Sequence, residues 1–229
     1  MSAAGRAADA RLAARPAEPG RPLGPGLHTL GLTRTRDALL RVPAGHRPDR
    51  PAPLAVMLHG AGGTAEHGLT LLADEADEAG LVLLAPASRR DTWDVLVGGF
   101  GPDVALVDAA LAATFAHCAI DPARVALGGF SDGASYALSL GLTNGDLFTH
   151  VVAFAPGFMR PARPVGRPRC YVSHGTRDAV LPIDPCSRRI VPALRRAGYD
   201  VRYREFDGPH TVPADVAREA VAWFAGPEG

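Results

Sequence analysis

Hydrophobic residues along the chain alternate between short continuous runs and segments of helical periodicity. Residues 54–58 (LAVML) and 81–85 (LVLLA) are apolar at every position, a pattern typical of strands that are buried on both faces. In residues 103–118, apolar side chains instead recur every three or four positions, as along one face of a helix. Strands that alternate with helices predict a mostly parallel sheet covered by helices on both sides.

The same pattern, followed from end to end, predicts a three-layer α/β/α sandwich with about seven or eight strands. An opening hairpin is expected from residues 27–32 and 38–42. Further strands are predicted at 54–58, 81–85, 124–127, 150–155, 169–173 and 199–206, and helices at 69–79, 103–118, 134–142, 184–197 and 214–225. The connections are short, so we expect no separate cap domain.

The first 25 residues differ from the rest because they are rich in Ala, Arg, Pro and Gly. This composition predicts a disordered segment at 1–25, followed by a single domain at 26–229. The segment has no apolar core of the kind found in secretion signals, which favours a cytoplasmic location. No apolar run approaches the roughly 20 residues that a membrane-spanning helix needs.

Charge and cysteine content exclude several kinds of partner. The chain has 24 basic and 24 acidic residues, a balance that argues against nucleic acid or an anionic membrane surface as a partner. Cys118, Cys170 and Cys186 have no metal-ligand spacing, so no metal site is expected. Free thiols are the simpler interpretation; a Cys170–Cys186 disulfide is the alternative if the protein is exported.

Polar and glycine residues cluster where four predicted strands end, at 59–63, 129–133, 174–178 and 207–210. Ligands bind at the carboxyl ends of the strands in such sheets. The last three clusters supply Ser131, Asp178 and His210, in the chain order of a hydrolase whose serine lies on a sharp strand-to-helix turn. A serine hydroxyl needs an imidazole to take its proton, and the imidazole needs a carboxylate to orient it. Asp184 is the alternative acid.

Five motifs in this order resemble the α/β-hydrolase superfamily, and within it the small cap-less phospholipase/carboxylesterase (dienelactone-hydrolase-like) group. They are residues 58–63 (LHGAGG), 121–125 (DPARV), 129–133 (GFSDG), 178–182 (DAVLP) and 208–210 (GPH). The resemblance implies that Ser131 is the nucleophile, His210 the general base and acid, and Asp178 the acid that orients it. It implies an oxyanion hole made by the backbone N–H groups of Ala61 and Asp132, and no cofactor or metal.

Residues around these motifs have a structural and a functional interpretation. His59 and His174 end strands, and we expect each to brace its loop by hydrogen bonds rather than to perform chemistry. The loop 88–102 should border the site and contribute Trp93 and Phe100 to a substrate pocket, with Phe130 as a further wall. The alternative is that these aromatic side chains only fill the core.

Asp132 departs from the resembled group, in which the residue after the nucleophile more often has an uncharged side chain. An anion here opposes the negative charge that develops in an oxyanion hole. Asp132 is also at the start of the predicted helix, where the helix dipole stabilises a carboxylate. The side chain is expected to point to solvent or to Arg89 or Arg90, and a preference for polar or cationic substrates is a further hypothesis.

Together these features predict a serine esterase that acts on small carboxylic esters, as a monomer or a homodimer. A thioesterase, a lysophospholipase, a lactonase and a small peptidase use the same machinery and stay open. A catalytically silent binding protein with the same fold is the alternative from another class. A nucleotide-binding role for residues 60–63 is disfavoured because no Gly-Lys-Ser/Thr follows them.

Overall fold

The continuous apolar runs of the sequence lie at the centre of a single sheet. The computed structural model describes residues 2–226, and all structural statements below concern these residues. Their strands are β1 (Gly26–Thr29), β2 (Ala38–Val42), β3 (Ala52–Leu58), β4 (Val82–Pro86), β5 (Ile120–Phe130), β6 (His150–Phe154), β7 (Arg169–Gly175) and β8 (Val201–Phe206). Their helices are α1 (Ala3–Ala8), α2 (Ala65–Thr70), α3 (Ala73–Ala76), α4 (Asp94–Val97), α5 (Pro102–His117), α6 (Asp132–Thr143), α7 (Ser187–Arg196) and α8 (Ala214–Ala225).

The strand order is β1-β2-β4-β3-β5-β6-β7-β8. β1 and β2 pair as the predicted antiparallel hairpin, and β2 is also antiparallel to β4. Every other neighbouring pair is parallel, so the carboxyl ends of β3 to β8 lie along one edge of the sheet. This arrangement confirms the predicted α/β architecture, and no separate cap is seen in the described part of the chain.

β3 shows why its sequence has no polar position. Leu54, Val56 and Leu58 pack on one face of the sheet, in a cluster with buried side chains of α5. Ala55 and Met57 point to the opposite face and join a cluster with α8. Since successive strand residues point to opposite faces, a strand covered by helices on both sides must be apolar throughout.

The first residues of the chain differ from the predicted disorder. α1 and the turn after it pack on the domain, and Ala10 and Leu12 are buried. The side-chain amide of Asn144 binds the backbone of both residues: its Oδ1 accepts from Leu12 N (3.0 Å) and its Nδ2 donates to Ala10 O (2.7 Å). Arg11 and Arg15 pair with Asp146. The segment is short of apolar residues, so polar partners at the end of α6 hold it.

Two predicted helices have different bounds in the structure. The predicted helix 69–79 is divided into α2 and α3, and α2 begins earlier because Thr64 and His67 form a capping box. α7 begins at Ser187 rather than at 184. A single domain at 26–229 stays a proposal. It is supported by the sheet, in which all strands from β1 to β8 take part. Within residues 2–226, no helix has the length and apolar character that crossing a membrane requires.

Candidate active site

Ser131 lies at the turn between β5 and α6 and has a strained backbone, with φ 57° and ψ −119°. Two glycines make this turn possible because they have no Cβ, which lets the backbone of the turn approach β3 closely; neither glycine has a positive φ. A Cβ at Gly129 would lie 2.6 Å from Leu58 O, and one at Gly133 would lie still closer to the same oxygen. The turn therefore packs against the end of β3, and Ser131 N donates to Phe154 O of β6 at 2.9 Å. The serine side chain is held at the carboxyl edge of the sheet.

Ser131, His210 and Asp178 form a hydrogen-bonded chain. Ser131 Oγ lies 2.9 Å from His210 Nε2, and His210 Nδ1 lies 2.5 Å from Asp178 Oδ2. A carboxylate only accepts, so Nδ1 carries the proton and Nε2 accepts from the serine hydroxyl. The structure thus brings together the three side chains that the sequence predicts. Asp184, the alternative acid, is exposed and pairs with Arg188 instead.

Asp178 is buried, and its two oxygens have different partners. Oδ1 accepts from the backbone N–H groups of Val180 (2.9 Å) and Leu181 (2.8 Å), while Oδ2 faces His210. Burial alone would raise the pKa of this carboxyl. The hydrogen bonds from His210, Leu181 and Val180 outweigh burial and lower the pKa of Asp178 below its ordinary value. Asp178 is therefore a carboxylate that can stabilise a charged imidazole.

A second histidine, His174, lies behind Asp178 and is fully buried. Its Nε2 is 2.8 Å from Leu181 O and 3.1 Å from Asp178 Oδ2, and its Nδ1 is 2.6 Å from Ser187 Oγ. Burial lowers the pKa of His174, and an Nε2–H that donates to the carbonyl fits the neutral ring. These contacts agree with the structural role expected for this residue, and they join the Asp178 turn to the start of α7.

The loop after β3 faces the nucleophile. A Cβ at Gly60 would lie 3.4 Å from the Cβ of Ser131, so the loop backbone passes directly beside the serine. Among the hydrogen bonds of residues 2–226, none is donated by the backbone N–H of Ala61 or of Asp132. Both groups are thus available to an acceptor, and their role as an oxyanion hole stays a prediction.

His59 braces this loop, as expected. Its Nε2 accepts from Ser88 N at 3.0 Å, and its Nδ1 lies 2.6 Å from Gly60 O. Burial lowers the pKa of His59, which keeps the ring neutral with the proton on Nδ1. The carbonyl of the same residue accepts from the indole Nε1 of Trp93 at 2.9 Å.

Trp93 therefore does not line a pocket, and that prediction is wrong for its side chain. The indole is fully buried, and its ring lies 4.9 Å from that of His59 and 5.0 Å from that of Tyr136. Phe100 is half-buried and packs on Tyr136 at 5.8 Å, measured between ring centroids. Phe130 is the predicted wall residue that lies at the site, since its half-buried ring is 4.5 Å from the His210 ring.

Sequence reasoning missed the partner of Asp132. The hydroxyl of Thr92 donates to Asp132 Oδ2 at 2.6 Å, and within the described residues no arginine pairs with this carboxylate. A threonine in an irregular loop gives no sequence signal for such a contact. Thr92 also lines a cavity of about 230 Å³, together with Val97 and Gly98. The bond to Asp132 brings this loop beside the turn of Ser131, and a role of the loop in a substrate pocket stays a prediction.

Two buried carboxylates, which sequence reasoning also missed, anchor this loop. Asp94 N donates to Asp103 Oδ2 (2.7 Å), and Asp103 N donates to Asp94 Oδ2 (2.9 Å). The hydroxyl of Tyr136 also donates to Asp94 Oδ1, and the backbone N–H of Arg89 donates to Asp103 Oδ1. Burial raises the pKa of Asp94, and it raises that of Asp103 to about 6. The pair fastens the loop to the start of α5.

Within residues 2–226, no group of three or more His, Cys, Asp or Glu side chains is placed so that it could hold a metal ion. Cys118, Cys170 and Cys186 are buried and free. A cavity of about 540 Å³ lies at the other end of the strands, beside Pro19, Pro48 and the first residue of β5, away from Ser131.

Comparison with curated proteins gives relatives of low identity, and no family model matches the chain. A probable feruloyl esterase C from Aspergillus terreus (strain NIH 2624 / FGSC A1156) is 27% identical over 161 residues, which are 65% of this chain and 57% of that protein. A second protein of that name, from Aspergillus oryzae (strain ATCC 42149 / RIB 40), is 27% identical over 171 residues, 69% of this chain and 60% of that protein. The chain spans less than two thirds of the length of these relatives.

The solved structures with similar folds include esterases and a serine hydrolase. Esterase PE8 has a TM-score of 0.65 at 23% identity, covering 88% of this chain and 97% of that one. The Staphylococcus aureus fluorophosphonate-binding serine hydrolase FphF has a TM-score of 0.71 at 14% identity, covering 89% and 100%. A phospholipase/carboxylesterase from Dyadobacter fermentans DSM 18053 has a TM-score of 0.60 at 21% identity, covering 82% and 97%. The chain has the α/β-hydrolase fold.

Proposed function

We propose that this protein is a serine hydrolase that cleaves small carboxylic esters through an acyl-enzyme intermediate on Ser131. The observation that carries the proposal is the chain of hydrogen bonds from Ser131 Oγ through His210 to Asp178, placed on a strained turn at the carboxyl edge of the sheet. That the matched proteins are esterases and serine hydrolases supports the same reaction class.

In the first half of the proposed reaction, Ser131 Oγ attacks the ester carbonyl carbon while His210 Nε2 takes the hydroxyl proton. The carbonyl oxygen becomes an oxyanion, to which the N–H groups of Ala61 and Asp132 donate. The carbon–oxygen bond of the ester then breaks. The alcohol leaves with the proton from His210, and the acyl group stays on Ser131.

In the second half, His210 takes a proton from water, and the resulting hydroxide attacks the acyl carbon. The bond to Ser131 Oγ breaks, the serine regains its proton from His210, and the carboxylic acid leaves. Throughout, Asp178 stays ionised and stabilises the charged imidazole, which its lowered pKa favours. No cofactor enters either half.

The substrate class follows from the surroundings of Ser131. The half-buried Phe130 ring beside His210 offers an apolar face for an acyl or alcohol group, and Val180 next to Asp178 is 66% exposed. Because two matched proteins are named feruloyl esterases, an ester of ferulic acid belongs among the substrates tested.

A hydrolysis assay tests the proposal. Purified protein should hydrolyse p-nitrophenyl acetate, with methyl ferulate, a thioester and a lactone compared in parallel. Ser131→Ala should lower kcat on the order of 10⁵-fold or more because the nucleophile is lost. Ser139→Ala is the matched control, since its buried hydroxyl lies two turns along α6 and bonds Ser135 O and Arg160 N instead. Absence of hydrolysis of every substrate would favour the silent binding protein.

A further inference from the structure

The two proposed oxyanion donors lie on segments that follow different strands. Ala61 follows β3, and Asp132 follows β5. An oxyanion hole works only if both N–H groups point at one oxygen, at about 2.7–3.1 Å. The β-sheet fixes the strands, but Ala61 is exposed in a turn beyond the last paired residue of β3. A further contact is therefore needed to hold the two donors at a constant spacing.

The segment 88–93 after β4 contacts the Ala61 side at three points. Ser88 N donates to the His59 ring (3.0 Å), and the Trp93 indole donates to the carbonyl of the same residue (2.9 Å). Gly62 N donates to Asp91 O (2.7 Å). Since these contacts lie on both sides of Ala61, they fix the course of the backbone through it.

The same segment contacts the other donor through one side chain. Thr92, between Asp91 and Trp93, donates its hydroxyl to Asp132 Oδ2 at 2.6 Å. Three consecutive residues, 91 to 93, thus bind Gly62, Asp132 and His59 in turn. The loop is a bridge between the two donors, and Thr92 is its side-chain contact on the side of the nucleophile.

The hydrogen bond also orients a charge. Asp132 is an anion next to the atom on which negative charge develops, and no arginine of the described residues neutralises it by a salt bridge. A bond to Thr92 directs this carboxylate toward the loop. The loop is itself held by the reciprocal bonds of Asp94 and Asp103, so the direction is fixed.

We propose that Thr92 is a positioning residue of the active site. It ties the first residue of α6 to the segment 88–93, which in turn holds the loop that carries Ala61, so that the two backbone N–H groups keep the spacing that an oxyanion requires. It acts through Asp132 rather than on the substrate. This inference rests on the proposed ester hydrolysis at Ser131.

Two substitutions at Thr92 distinguish the effect of its hydroxyl group from the effect of its side-chain size. Thr92→Val keeps the size and removes the donor, whereas Thr92→Ser keeps the donor. We expect Thr92→Val to lower kcat about tenfold with KM within about twofold of wild type, because a displaced donor costs less than the 10²–10³-fold of a deleted one. Thr92→Ser should restore most of kcat. Thr114→Val is the matched control, a buried threonine that bonds Ala110 O within α5.

Asp132→Asn sharpens the test, since the amide oxygen still accepts from Thr92 while the charge is gone. We expect it to lose less activity than Asp132→Ala, and the effect of Thr92→Val should be smaller in the Asp132→Ala background than in wild type. Binding of an arylboronic acid, which forms a tetrahedral adduct with a serine, should weaken in Thr92→Val by about the same factor as kcat.

Four results would overturn the inference, the last of them together with the proposed function. Unchanged kcat in Thr92→Val would show that the hydrogen bond has no positioning role. A raised KM at unchanged kcat would make Thr92 a wall of the neighbouring cavity instead. Equal losses in Thr92→Val and Thr92→Ser would assign the effect to packing. A wild-type protein that neither hydrolyses esters nor reacts with a serine-directed probe overturns the proposed function and this inference together.

Discussion

The two halves of the proposed site use different chemical groups: side chains in one half and backbone N–H groups in the other. In the acid–base half, Ser131, His210 and Asp178 contact one another through side chains, at 2.9 and 2.5 Å. In the proposed oxyanion half, the groups that would act are the backbone N–H groups of Ala61 and Asp132, and the side chains of Trp93 and Thr92 bond to the segments that carry them. The activity of the first half depends on which side chains are present. The activity of the second half depends on where the backbone places its N–H groups.

This difference predicts how the two halves respond to substitution. Removing a functional group from the acid–base half deletes a chemical step or leaves a charge unpaired. Removing a side chain from the oxyanion half shifts a donor by a fraction of an ångström and leaves it present. Losses should therefore be large and insensitive to the replacement in the first half, and moderate and graded in the second.

After the loss of the nucleophile itself, the largest effect is expected at Asp178. Asp178→Asn keeps the size but cannot stabilise the charged His210 ring, and it favours the wrong tautomer, so kcat should fall on the order of 10⁴-fold. Steady-state kinetics with p-nitrophenyl acetate measures it. Asp184→Asn is the control, since Asp184 is exposed and pairs with Arg188. A comparable loss in both variants would contradict the assignment of the acid.

A smaller effect is expected at Trp93, in the oxyanion half. Trp93→Phe keeps an aromatic ring but removes the N–H that binds His59 O, a contact of about 1 kcal/mol, so kcat should fall about fivefold. Trp223→Phe is the matched control, because this half-buried indole lies near His150 and Tyr171, at the amino end of β6 and away from Ser131. If Trp93→Phe loses as much activity as Asp178→Asn, the distinction between the halves fails.

The smallest expected effect concerns stability and pH at His174. Burial lowers the pKa of this imidazole below its ordinary value, so the unfolded chain takes up the proton first as the pH falls. The stability gained from the neutral ring is present above about pH 6.5 and is lost below it. Melting temperatures of wild type should fall from pH 7.5 to 5.5, and less steeply in His174→Gln.

His67→Gln provides the control for that experiment. His67 is exposed and caps α2, a role that glutamine can keep. The slope measured for His67→Gln shows how much a histidine on the surface contributes to the pH dependence of stability. A His174→Gln variant with the full wild-type slope would show that the buried histidine behind Asp178 does not contribute to the pH response.

How far the sequence predicts the site differs between the halves for the same physical reason. Ser131, Asp178 and His210 are predictable because chemistry requires those residue types, and each follows a recognisable strand. Trp93 was predicted as a pocket wall because the loop is apolar and contains glycines. Its place in the core depends on a carbonyl at His59, which a sequence pattern does not mark.

The fold shows a similar limit. Strands buried on both faces have continuous apolar runs, so the parallel sheet is predictable from hydrophobicity alone. The packing of the first residues is not, since Leu12 and Ala10 are held by Asn144, more than 130 positions away. Composition predicts whether a segment can form its own core. It does not reveal a polar partner elsewhere in the fold.

The central claim is that Ser131 is the nucleophile, and covalent labelling tests it most directly. A fluorophosphonate probe should react with wild-type protein at a single site, and peptide mass spectrometry should place the adduct on Ser131. The Ser131→Ala variant should stay unlabelled while Ser139→Ala reacts like wild type. An adduct on another residue, or none on a folded wild-type protein, would contradict the account.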